Sequence, residues 1–152
     1  MNLQKIHEVA SYINQQPLES RVYLGTDSER VQVEDRAYID YMTCVVVHHN
    51  GNSGAKLFGW VDREVAYLPA NQPRTRLVME AYKAAEYYLA LAPLILHDIE
   101  IHLDLNPDPK HKSNQALQEA LGYIRGVCQQ TPQIKPDAWA ASIAADRLKR
   151  EI

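Results

Sequence analysis

Residues 98–106 read DIEIHLDLN. Ile99, Ile101, Leu103 and Leu105 alternate with His102 and Asp104, and this period of two predicts a β-strand with one apolar face. The segment before it has helical spacing. Leu77, Ala81, Ala84 and Tyr88 mark one face between Arg74 and Leu91, and Pro93 ends the helix. Further upstream, 21–27 (RVYLGTD) and 38–49 read as strands, NGNSG (50–54) as a turn, and 55–68 as a third strand. Leu3, Ile6, Val9, Ala10 and Ile13, closed by Pro17, predict an N-terminal helix. Downstream of 98–106 come a polar loop (107–112) and Ser113 as N-cap of a helix reaching Cys128. A short strand around Ile134 follows, then a last helix opened by Pro136 and Asp137.

The order is therefore α-βββ-α-β-α-β-α. Parallel crossovers need intervening helices, so this order predicts one α/β domain over residues 1–152 with a five-stranded mixed sheet and helices on both faces. Residues 1–17 form an extra helical extension. The first strand should be central and beside the fourth, with the hairpin strands on one side and the fifth strand on the other.

Composition is ordinary for a globular domain, 46% apolar and 23% charged. A net charge of −3 argues against coating nucleic acid through bulk positive charge, yet 16 Lys and Arg suffice for a local basic groove. Cys44 and Cys128 lack paired spacing and are expected to be reduced thiols of a cytoplasmic protein. No signal-peptide pattern opens the chain. The longest apolar run, Tyr87 to Leu96, is too short to span a bilayer, so no membrane association is expected.

In open α/β sheets chemistry gathers at the carboxyl ends of parallel strands. Asp27 is expected to close the first strand and Asp104 lies near the end of the fourth. Neighbouring carboxylates repel unless a divalent cation neutralises them, and hard oxygen ligands suit Mg²⁺ or Mn²⁺. The competing reading is that both acids simply begin loops. On the helix 74–91, Glu86 falls opposite the apolar face at about 100° per residue, whereas Glu80 lies only about 60° from it. Glu80 is the candidate. In the last helix Asp137, at the helix start, is preferred over Asp146, nine residues on and about half a turn out of phase. A plain capping role for Asp137 is compatible with ligation.

The segments LGTDS (24–28), HLD (102–104), KSN (112–114) and KPDAWAASIAADR (135–147) resemble those of the YkuK-like family of predicted nucleases, within the ribonuclease-H-like superfamily. The similarity spans nearly the whole chain. It implies a ribonuclease-H-like fold in which carboxylates on the first strand, first long helix, fourth strand and last helix hold two divalent metals. Those positions fall on Asp27, Glu80, Asp104 and Asp137. The implied activity is two-metal hydrolysis of nucleic-acid phosphodiesters with Mg²⁺ or Mn²⁺.

Ser28, Lys112, Asn114, Lys135 and Arg147 are expected on the substrate side. His102, two residues before Asp104 on the same strand face, either approaches the site or is a partly buried strand histidine. His48 and His49 read as ordinary strand-end residues, and His111 as solvated loop charge beside Lys110 and Lys112. No Gly-rich phosphate loop, Ser-His-Asp order or zinc spacing occurs. The alternative function is a catalytically silent module that binds nucleic acid or protein, because four acids in the right order are necessary for catalysis without being sufficient.

Overall fold

The structure, a computed structural model, describes residues 1–49, 54–66, 73–104, 114–134 and 140. Its elements are α1 (Leu3–Asn14), β1 (Arg21–Val33), β2 (Arg36–His48), β3 (Ala55–Val65), α2 (Pro73–Leu91), β4 (Ile99–Leu103) and α3 (Asn114–Cys128). Asn2 caps α1, its Oδ1 accepting from the Lys5 N–H at 3.1 Å. Helix α2 stops one residue before a 3-10 turn, Ala92–Leu94, that contains Pro93.

The sheet order is β3-β2-β1-β4. Strands β1, β2 and β3 form an antiparallel meander, with Arg21 opposite His48 and Val33 opposite Arg36 in its first hairpin. Strand β4 joins β1 in parallel, from Val22↔Ile99 to Thr26↔Leu103. The expected arrangement of the first four strands is therefore the observed one. Two expectations need correction. Strand β1 does not end at Asp27. It continues to Val33 because β2 keeps pairing with it, and the chain turns at Glu34, which takes a left-handed φ of 54°.

The expected fifth strand is also absent as a strand, since the sheet has four among the described residues. Gln133 makes a single parallel bridge to His102, with Leu103 N–H donating to the Gln133 carbonyl and Gln133 N–H donating to that of Ile101, both at 2.9 Å. The pairing lies on the predicted side of β4. Pro132 and Pro136 flank it, and neither has an N–H to extend a ladder.

Helices α1, α2 and α3 all contribute to one core on one face of the sheet. Ile6, Val9 and Ile13 of α1, Ala81, Ala84 and Ala85 of α2, and Leu117, Ala120 and Ile124 of α3 pack with Val22, Leu24, Ile99, Ile101 and Leu103. On the opposite face, Tyr23, Cys44 and Val46 pack with Ala140. The expected last helix and the loop 107–112 lie outside the described residues apart from Ala140. Both cysteines are buried and unbridged.

Ala81, Ala84 and Ala85 of α2 are fully buried, so the helix approaches the sheet closely and leaves no room for a larger side chain. Ala84→Leu should lower unfolding free energy by about 1–3 kcal/mol through overpacking. Glu86→Ala, on the exposed side of the same helix, should stay within about 0.5 kcal/mol. Urea titration of the two variants measures the difference.

Candidate metal centre

The paired residues of β1 and β4 end at Thr26 and Leu103, and the residue that follows each of them in the chain is an aspartate, Asp27 and Asp104. Adjacent strands lie about 4.8 Å apart. Alternation places Asp27 on the face of Tyr23 and Asp104 on the face of His102. The rings of Tyr23 and His102 meet edge to face at 5.3 Å, so the two aspartates share that face. Both are half-buried. The Asp27 carboxylate accepts from the Ser28 N–H at 2.8 Å.

Glu80 reaches the same end of the sheet from α2. It is buried, whereas Glu86 is exposed. Ser28 Oγ donates to Glu80 Oε1 at 2.5 Å. Burial, the main cause, together with the charge of Asp27 and more weakly that of Asp104, raises the Glu80 pKa to about 8; the Ser28 hydrogen bond and Arg76 oppose the rise. The three acids therefore share one electrostatic field. Their influence extends further: Tyr41 is pushed up to about 12 by burial, then by Glu64 and Glu80. Cys44 is likewise pushed to about 12, chiefly by burial, with Asp27 adding to it.

As a donor set, Asp27, Glu80 and Asp104 are all hard carboxylate oxygens, which fits Mg²⁺ or Mn²⁺ and does not suit a soft metal. Among the described residues, however, no three His, Cys, Asp or Glu side chains converge closely enough to hold one ion together. The arrangement is two aspartates just past the end of the β1–β4 ladder, with a protonated glutamic acid behind them. Asp137, the expected fourth ligand, and its rival Asp146 lie outside the described residues, as do Lys112, Lys135 and Arg147. Asn114 is the first residue of α3.

His102 is turned inward. It is 1% exposed, and its Nδ1 accepts from the Ala140 N–H at 3.1 Å. The proton therefore sits on Nε2, which donates to Glu100 Oε1 at 3.2 Å. In this setting the ring joins β4 to residue 140 rather than presenting itself to substrate. His49 bonds Tyr12 Oη through Nε2 at 2.8 Å, as a strand-end residue tied to α1. Sequence reasoning passed over Arg76. Its position four residues before Glu80 on a helix was the available signal, because such pairs share a helical face.

A cleft of about 580 Å³ opens at the other end of the sheet, lined in part by Ser20, Tyr88, Asp98 and Gln130. None of the three carboxylates lines it.

The family profile described as ribonuclease H-like matches residues 4–150. The chain belongs to the ribonuclease H-like family. No curated protein and no solved structure matches it. Membership agrees with the mixed sheet and with a nuclease-like module associated with nucleic acid. Among the described residues no helix is long and apolar enough to cross a membrane.

The Glu80 shift carries a definite pH dependence. Between its ordinary value of 4.5 and about 8, the folded chain keeps a proton that the unfolded chain has lost. Stability therefore falls as pH rises through this window and levels off above it. In chelator, Glu80→Gln should remove that decline and exceed wild type in thermal midpoint above pH 8. Melting curves across the window, compared as variant minus wild type, cancel the other titrating groups.

Proposed function

We propose that this ribonuclease H-like chain is a nuclease that hydrolyses nucleic-acid phosphodiester bonds with two Mg²⁺ or Mn²⁺ ions, held by Asp27, Glu80, Asp104 and Asp137. The observation that carries this reading is the buried Glu80, kept protonated behind two aspartates just past the end of the parallel β1–β4 ladder. Perturbed carboxyl groups of this kind concentrate at functional sites. A cation between these oxygens would reverse the local electrostatics and favour the ionised form of Glu80. Divalent ions bound there supply a more acidic attacking water and charge neutralisation at the leaving oxygen.

The chain's own residues do the rest. The β1–β4 ladder fixes the spacing of Asp27 and Asp104, so neither must be ordered when substrate arrives. Ser28 orients Glu80 through its hydroxyl. Once Glu80 loses its proton, that hydrogen bond becomes charge-assisted and stronger, holding the carboxylate in place. Glu80 ionisation also makes cation binding release a proton, so affinity should rise with pH towards about 8.

The second reading, a silent module that binds nucleic acid or protein, draws on the depth of Glu80 and on the lack of a converged three-ligand cluster among the described residues. The two readings separate experimentally. Saturating Mn²⁺ should raise the thermal midpoint of wild type, a ligand at a hundred times its dissociation constant being worth about 2.7 kcal/mol. Asp27→Asn and Asp104→Asn should lose that rise while staying folded. Wild type should cleave at least one of RNA, DNA or an RNA–DNA hybrid. A cation-dependent rise without cleavage of any of them supports the silent module; no rise at all sinks the metal site.

The fourth ligand is tested by a pair of substitutions. Asp137→Asn should reduce cleavage by orders of magnitude, because it removes a charged ligand from a site built to balance phosphate and metal. Asp146→Asn should leave the rate nearly unchanged. The reverse pattern in single-turnover assays would move the fourth ligand to Asp146.

A further inference from the structure

Several cations near the sheet already have partners. Arg63 holds Asp40 through two bonds, at 2.7 and 2.9 Å. Lys83 pairs with Glu64 at 3.2 Å, and Lys5 donates to the Gly59 carbonyl. Arg76 is different. It is half-buried, and its Nε is buried without a hydrogen-bond partner. Among the described residues it makes neither an ion pair nor a hydrogen bond. Its position is nonetheless specific: it stands one helical turn before Glu80 on α2, and its charge reaches both Glu80 and Tyr41.

A half-buried guanidinium loses hydration, and without an anion nothing repays that loss. The nearest acid on its own helix face, Glu80, accepts from Ser28 Oγ at 2.5 Å, and no hydrogen bond or ion pair joins it to Arg76. A planar fork of N–H donors one helical turn from Glu80, a proposed metal ligand, matches the two non-bridging oxygens of a phosphodiester.

We infer that Arg76 is a binding residue for a backbone phosphate of the nucleic acid, positioned at the rim of the carboxylate cluster. The inference rests on the nuclease reading for the identity of the ligand. It adds which residue grips the phosphate, and it assigns that role to α2 in addition to the Lys and Arg residues singled out in the sequence.

The test measures binding rather than cleavage, so it does not depend on turnover. A short fluorescently labelled RNA–DNA hybrid duplex is titrated by anisotropy in Ca²⁺ buffer over a series of KCl concentrations. Relative to wild type, Arg76→Gln should weaken binding about tenfold, the worth of one charge-assisted contact. The slope of log K against log salt should become shallower by about 0.9, one fewer neutralised phosphate. Arg76→Lys should keep the slope and lose part of the affinity, since ammonium keeps the charge without the fork. Arg21→Gln, exposed at the opposite end of β1, should change neither.

Unchanged affinity and slope in Arg76→Gln, with wild type binding and cleaving, overturn the inference alone and leave the nuclease reading standing. An equal loss in Arg21→Gln overturns it too, by showing a diffuse field instead of a specific contact. Stabilisation of wild type by inorganic phosphate, without Arg76-dependent duplex binding, reassigns Arg76 to a free anion and overturns the nucleic-acid ligand. Wild type that neither binds nor cleaves the duplex removes the nuclease reading and the inference together.

Discussion

The short parallel ladder between β1 and β4 governs the rest of the molecule. Its five pairs run through residues that are buried on both faces apart from the half-buried Glu100, Leu24 beside Ile101 on one face and Gly25 beside His102 on the other. A parallel pair cannot be closed by a tight turn, so the chain must cross over through a helix. That crossover includes α2, and α2 carries Glu80. The constraint that makes the strands neighbours thus also brings a third acid to the end of their ladder. Thr26, fully buried and polar, is satisfied by Thr43 across β2, their hydroxyls 2.9 Å apart. The buried ladder ends there, and the carboxylates begin one residue later.

Glu80 shows what that placement costs. A carboxyl group this deeply buried is disfavoured in its charged form, and the aspartates in front of it add repulsion. Ser28 and Arg76 offset only part of the effect, leaving a pKa of about 8. An apolar residue in this position would stabilise the cation-free fold, so stability alone does not account for a glutamate. The same end of the sheet also has Tyr41 and Cys44 raised by burial and by neighbouring acids. The region is poised to accept positive charge.

Legibility in the sequence followed the range of the interactions involved. The alternation through Ile99–Leu103 and the burial of Glu80 against the exposure of Glu86 depend on local periodicity, and both were readable. The length of β1 was not. Its continuation past Asp27 depends on pairing with β2, whereas Ser28, Glu29 and Arg30 read locally as the start of a loop. The fifth strand is a single bridge because Pro132 and Pro136 limit the ladder around Gln133, and Pro136 reads locally only as the start of a helix. Alternation gave the face of His102 but could not show that Ala140 would lie against its Nδ1. Arg76 belongs to no motif, and a half-buried arginine becomes conspicuous only when its neighbours are known to be committed elsewhere.

The net charge of −3 constrains how such a chain can hold a polyanion. Bulk attraction supplies little, so association must come from a few aligned contacts and from any cations bound at the acids. Arg76 and the carboxylates would then act as one unit. Without cations the aspartates repel the phosphate that Arg76 attracts, and with cations both sides of the cluster attract it. Coupling of this kind would tie nucleic-acid affinity to metal occupancy without any conformational change, because the ladder and α2 already hold the groups at one end of the sheet. It would also explain why the arginine stands beside the acids without pairing with Glu80: an internal ion pair there would neutralise both binding elements before a ligand arrived.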